Sequence, residues 1–287
     1  MTATDAVAGA ARAALDAILA VVLSPSCAAC DRLLEQPTRG PVCPACWASI
    51  LPLTPPLCDR CGDPLPTWRA ISVPLARCPR CRRTPRFVDK ARAVGTHDGA
   101  LRAVVHALKY QGRRSLARPL AGLMRIRGAD LLEGATCVVP IPLHASRRRQ
   151  RGFNQAQDLA RLLQLPVIAA VRRIRATATQ TDLPAAQRHR NVRDAFAVTR
   201  AAASLAGAVV VLVDDVSTTG ATLEAAARVL KEAGVKEVRA LTAARVVGHH
   251  GTSVLVAQPS RAAGDCGRPK GLRDESVWAV VNASARR

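Results

Sequence analysis

The residues best equipped for chemistry stand together at Val209-Val210-Val211-Leu212-Val213-Asp214-Asp215-Val216-Ser217-Thr218-Thr219-Gly220-Ala221-Thr222. An apolar run ends in two adjacent acids, then a loop of small and hydroxyl residues, then an Ala-rich helical pattern. Carboxylates are hydrogen-bond acceptors and suit a diol. A loop that leads into a helix N-terminus presents free backbone N–H groups, which suit a phosphate. Gly220 lets the backbone approach that phosphate closely. Two common nucleotide loops are excluded, because the chain has neither a G-x-x-x-x-G-K-[ST] run nor a G-x-G-x-x-G after a strand.

A second grouping is built from sulfur. Eight of the ten cysteines fall between residues 27 and 81 as four C-x-x-C pairs, Cys27/Cys30, Cys43/Cys46, Cys58/Cys61 and Cys78/Cys81. Two intervening residues let both thiolates of a pair turn toward one ion, and zinc takes four such ligands in a tetrahedron. Neighbouring pairs are separated by twelve residues (31–42) and sixteen (62–77), which suits two structural zinc ribbons. Sequential and interleaved pairing both remain open. Neither set has a spare position for catalysis.

Cations form the third grouping. Arg147, Arg148, Arg149 and Arg151 stand in a run that continues Gly152-Phe153-Asn154-Gln155. It reads as a mobile cationic loop whose guanidinium groups bind phosphate or pyrophosphate bidentately. Around the later cysteines lie Arg77, Arg80, Arg82, Arg83 and Arg86, with Trp47, Trp68 and Phe87 nearby. Cations beside aromatics suit single-stranded nucleic acid, by phosphate contact and base stacking, although the favoured reading is that the aromatics pack the small ribbons and the arginines are solvated. The net charge of +21 points the same way, toward nucleic acid, phosphorylated metabolites or an anionic membrane. The apolar run 6–23 is interrupted by Arg12 and Asp16 and lacks a basic leader. It is expected to be an amphipathic helix, not a membrane span, and the cysteine usage points to the cytoplasm.

The elements that must position these groups alternate. Strands are expected at 88–96, 136–142, 165–171, 196–198, 209–213 and 237–243. Helices are expected at 99–110 (stopped by Gly112), 114–127, around Leu159, Leu162 and Leu163, and at 221–233. Residues 172–191 read as a long basic and hydroxyl-rich excursion over a site. Such alternation implies an α/β fold with right-handed parallel crossovers. The expected division is a leading helix at 1–24, a double zinc ribbon at 25–86, an α/β domain at 87–247 and a disordered tail at 248–287. Cys137 reads as a buried apolar residue, not a nucleophile.

The stretch 210–222 resembles the phosphoribosyl-pyrophosphate signature of type I phosphoribosyltransferases. The resemblance implies that Asp214 and Asp215 bind the ribose hydroxyls. It implies that Ser217, Thr218, Thr219, Gly220 and Thr222 wrap the 5′-phosphate, with Mg2+ accompanying the ligand. Purine-salvage members carry an Asp where this loop has Thr218, so a 6-oxopurine acceptor is disfavoured. More widely, the ribbons together with Leu108-Lys109-Tyr110-Gln111-Gly112, Val139-Pro140-Ile141-Pro142-Leu143, Arg151-Gly152-Phe153-Asn154-Gln155 and Asp214-Asp215-Val216 resemble the ComF family over residues 15–247. Gln180, Arg188, Asn191, Val192 and Phe196 fit the same spacing. Membership implies a type I phosphoribosyltransferase-like parallel sheet flanked by helices and a link to competence and DNA uptake. Its partners would be phosphoribosyl pyrophosphate, single-stranded DNA and competence-machinery proteins. If the chain is an enzyme, Arg147, Arg151 and Lys109 are the candidates for stabilising departing pyrophosphate. A DNA-binding protein or a sensor of phosphoribosyl pyrophosphate are the alternatives.

Overall fold

The computed structural model describes residues 3–65, 76–175 and 194–247. Trp68, Thr177, Thr179, Gln180, Thr181, Arg188, Arg190, Asn191, Val192 and the expected tail lie outside the described residues. The strands are β1 (Lys90–Thr96), β2 (Cys137–Pro140), β3 (Val171–Arg173), β4 (Phe196–Val198), β5 (Val209–Ser217) and β6 (Glu237–Arg245). Four of them form an all-parallel sheet in the order β1-β6-β5-β2, while β3 and β4 pair antiparallel beside it.

The helices are α1 (Ala3–Leu23), α2 (Pro44–Ala48), α3 (Pro79–Arg83), α4 (Gly99–Tyr110), α5 (Ala117–Arg127), α6 (Ala129–Leu132), α7 (Ala145–Arg151), α8 (Gln155–Ala160) and α9 (Ala221–Glu232). Because β5 is covered on both faces, it reads as a continuous apolar run and not as an alternation. Val211 and Val213 share a core with Leu101, Val104 and Leu108 of α4 and Leu120 of α5. Val210 and Leu212 share another with Leu223, Ala226 and Leu230 of α9. Each fully buried leucine contributes roughly 1.5–3 kcal/mol.

Three expectations change. The run 165–171 is not one strand. Pro166 has no N–H to extend a ladder, so this stretch adds a single parallel bridge, Val138 with Val167, before β3 begins at Val171. The arginines of 147–151 lie in α7, not in a mobile loop. His144 caps that helix by accepting from Ser146 N, Gly152 ends it at φ +74°, and three arginines in the last turn complement its dipole. Finally, residues 114–116 form a 3-10 turn ahead of α5, since Pro119 lacks the N–H that would bond back to residue 115.

The cysteine region consists of two knuckle units. α2 and α3 each begin with a proline directly after a cysteine, Cys43 and Cys78, where the missing N–H costs nothing. The first unit is part of the main core: Cys27, Ala28, Leu34, Val42 and Cys46 cluster with α4 and α5, and half-buried Trp47 packs on them. Among the described residues, the second clusters only its own four cysteines and Leu65. It is tied to the sheet domain through Glu224 in the first turn of α9. That carboxylate accepts from Arg86 (3.2 Å) and from the backbone of Phe87 (2.8 Å). α1 is held through Asp16, which accepts from Thr38 N at 2.8 Å, and leaves Val21 outward at 82% exposure.

Candidate functional site

The acids sit where β5 outruns its neighbour. β2 pairs with β5 only as far as Pro140 opposite Val213, whereas β6 continues to Arg245 opposite Ser217. From Asp214 onward one edge of β5 is therefore open at the C-terminal side of the sheet, the usual ligand crevice of such folds. The strand does not stop at the acids, as the sequence suggests, but carries them to Ser217.

The pleat sends adjacent side chains to opposite faces. Asp215 shares the face of Val211 and Val213, where α4 packs, and meets Lys109 Nζ at 2.9 Å. Asp214 shares the face of Leu212, and its Oδ1 accepts from Asp215 N at 2.9 Å. Burial, and then the charge of Asp215, push the Asp214 carboxyl up to about 7, against the pull of Lys109 and Arg173. Arg173, at the end of β3 with its guanidinium 5.4 Å from the Phe196 ring centre, is pulled down by burial and by the charge of Arg147. Two cations, Lys109 and Arg173, thus act on the acid pair, and Arg147 lies near enough to Arg173 to oppose its charge.

Asp214 supplies a prediction. A carboxyl whose folded pKa is raised stabilises the fold fully below the unfolded value of 3.8, and that contribution is lost as pH rises through about 7. Asp214→Asn is therefore expected to raise the stability of the unliganded protein at pH 8 by a few kcal/mol, at about 1.4 kcal/mol per unit. The gain should vanish near pH 4. Thermal unfolding at the two pH values checks it; no gain at pH 8 would refute the buried repulsion.

The loop that follows turns at Gly220, whose φ of +78° is left-handed and favours glycine. Gly220 is also the N-cap of α9 and supplies no capping side chain; the first helical N–H, of Ala221, has a long 3.4 Å bond to Thr219 Oγ1. A small concavity here is lined by Asp214, Ser217, Thr218, Gly220, Ala221 and Thr222, among others. With the positive end of the helix beneath it, the concavity is suited to an anion.

The cationic segment is held rigidly. Arg114 grips Asp158 through two 2.8 Å bonds and lies 5.3 Å from the Phe153 ring centre. Arg151 stacks on Tyr110 at 4.7 Å, while buried Gln155 reaches Lys109 O at 3.5 Å. Of the arginines singled out from sequence, Arg147 is half-buried and near Arg173, Arg151 braces the end of α4, and Arg148 and Arg149 are exposed.

Sequence reasoning missed Arg173, Arg245 and Asp63. Arg245 Nη1 donates to Ser217 Oγ at 3.1 Å, and its Nε donates to Asp63 Oδ1. Arg172-Arg173 at the end of an apolar run was a usable signal for the first. No local signal marks the other two, because they meet across 182 residues.

The thiols form two groups, Cys27, Cys30, Cys43, Cys46 and Cys58, Cys61, Cys78, Cys81, with the ligand atoms of each group within 4.8 Å of one another. Pairing is thus sequential. Backbone N–H groups point at sulfur, from Cys43 to Cys27 and from Cys78 to Cys58, both at 3.3 Å. Sulfur approaches sulfur across the pairs, Cys30 to Cys43 at 3.9 Å and Cys61 to Cys78 at 3.6 Å, as thiolates sharing one ion do. Both groups fit structural zinc. Cys137 lies fully buried in the sheet core, and burial pushes its thiol up, away from reactivity.

No described helix is long and apolar enough to cross a membrane. A family model described as "Double zinc ribbon domain" matches residues 18–82, and one described as "Phosphoribosyl transferase domain" matches residues 149–258. The chain is 30% identical over 229 residues to Competence protein F of Haemophilus influenzae, covering 76% of this chain and 96% of that protein. It is 33% identical to DNA utilization protein YhgH of Salmonella typhimurium, over 64% of this chain and 81% of that one. Against Competence protein ComFC of Bacillus subtilis the identity is 27%, over 67% and 79%. Ribbon and sheet domain together, these matches show that the chain belongs to the ComF family of phosphoribosyltransferase-like proteins.

Proposed function

We propose that this chain binds Mg2+–phosphoribosyl pyrophosphate at the β5–α9 junction and transfers its phosphoribosyl group to an acceptor, in the cytoplasm and in the service of DNA uptake. The observation that supports this most is the pair Asp214–Asp215 on the open edge of β5, followed by the Gly220 turn and the uncapped α9. In this reading the acids take the ribose hydroxyls. Ser217, Thr218, Thr219, Gly220 and Thr222 take the 5′-phosphate with hydroxyl and backbone donors. Lys109 and Arg147 face the developing charge on pyrophosphate as the bond to C1 of ribose breaks. The hard oxygen donors of the acids suit Mg2+, which would neutralise the ligand's pyrophosphate.

The second reading is a non-enzymatic grip on single-stranded DNA. It is favoured by one feature of the second ribbon. Arg60, Arg77, Arg82, Arg83 and Arg86 line a concavity beside Cys81, and the buried Nε atoms of Arg77 and Arg86 have no hydrogen-bond partner among the described residues. A sensor of phosphoribosyl pyrophosphate is the third. Pyrophosphate release, measured with a panel of nucleobase and amine acceptors, separates them. Acceptor-dependent release is expected of the enzyme. Ligand binding with no pyrophosphate release in the presence of any acceptor would overturn transfer and leave the sensor. DNA affinity that falls steeply with salt would mark the second reading.

A further inference from the structure

The second ribbon reaches the candidate phosphate loop through a chain of polar contacts, buried at Arg245 and Ser217 and part-buried at Asp63. Arg245 is 4% exposed and lies at the end of β6, opposite Ser217. Its Nη1 donates to Ser217 Oγ and its Nε to Asp63 Oδ1. The other carboxylate oxygen of Asp63 accepts from Cys61 Sγ at 3.3 Å and from Arg80 at 3.4 Å. Asp63 follows the Cys58–Cys61 knuckle, and that knuckle is seated against the sheet. A Cβ on Gly62 would lie 2.7 Å from Ala91 O of β1, so the turn touches the strand backbone directly. Asp63 is thus fixed by the ribbon, and Arg245 by Asp63.

A serine oxygen that accepts from a guanidinium must point its own proton elsewhere. Ser217 Oγ lies under the turn, 3.9 Å from where a Cβ of Gly220 would be, and Ser217 lines the concavity. We propose that Arg245, anchored by Asp63 of the second ribbon, is a positioning residue that holds Ser217 as a hydrogen-bond donor to the ligand's phosphate. This rests on reading the β5–α9 junction as a phosphate site. It makes the ribbon part of the binding apparatus and not only a neighbouring fold.

The test is a double-mutant cycle on the full-length, zinc-loaded protein, with Mg2+–phosphoribosyl pyrophosphate affinity measured by calorimetry beside zinc content and thermal unfolding. Arg245→Lys and Ser217→Ala are each expected to weaken binding by about tenfold, the loss of one charge-assisted hydrogen bond. Combined, they should lose little more than either alone, because both break the same donor geometry. A merely structural arginine would lower the unfolding temperature, yet its effect on affinity would multiply with that of Ser217→Ala. Wild-type affinity in Arg245→Lys, or multiplying losses, overturns the proposal. If Arg245→Lys loses zinc or fold, Asp63→Asn, which keeps the side chain's shape, replaces it with the same expectation. Failure of the wild-type protein to bind at all would instead refute the phosphate site itself, and this proposal with it.

Discussion

Asp215→Ala is expected to weaken Mg2+–phosphoribosyl pyrophosphate binding by about a hundredfold, the upper range for hydrogen bonds to a charged group. The change removes a carboxylate acceptor from the open edge of β5. It also strips Lys109 of a partner at 2.9 Å in a setting where both side chains are more than four-fifths buried. Leaving one member of such a pair uncompensated costs about 3–5 kcal/mol at full burial, so a drop in unfolding temperature should accompany the lost affinity. Asp215→Asn keeps one acceptor oxygen and is expected to fall between the two. Differential scanning fluorimetry with and without ligand checks both effects. A ligand-induced shift as large in Asp215→Ala as in the wild type would contradict the role given to this carboxylate.

Removing zinc should have the largest effect on the fold. Structural zinc sites contribute about 10–16 kcal/mol of apparent binding energy to the units they hold, and among the described residues the second unit buries little besides its cysteines and Leu65. The two centres are not equivalent. Cys27 and Cys46 belong to the main core, against the helix that carries Lys109, whereas the second centre clusters by itself. Cys27→Ser is therefore expected to lower the global unfolding temperature more than Cys58→Ser, and each should reduce zinc from two per chain to one. Plasma emission spectrometry and calorimetry measure these directly. Native protein with almost no zinc would contradict both centres.

Why these features were so unevenly legible follows from the range of the contacts. β5, α4 and α9 show in the sequence because local periodicity and end signals, such as Gly112 and Gly234, agree with the tertiary burial. The cysteine groups show because ligand spacing is itself local. The arginines of α7 misled: a basic run with Gly, Phe and Asn embedded in it looks like a mobile loop, yet His144 and Gly152 bracket a helix, and Arg151 finds Tyr110 only once α4 is in place. The two acids look like one unit in the sequence. The pleat splits them between α4 and the β3–β4 pair, which explains why only Asp215 meets Lys109. Arg245 and Asp63 carry no signal because their meaning exists only after the ribbon docks on the sheet.

The central claim is that the β5–α9 junction binds phosphoribosyl pyrophosphate. Calorimetric titration of the full-length, zinc-loaded chain with the ligand and Mg2+, run beside Asp215→Ala, tests it most directly. Saturable binding at one site per chain is expected of the wild type, with loss of that binding and unchanged zinc content in the variant. No binding by the wild type, or equal affinity in the two proteins, would contradict it.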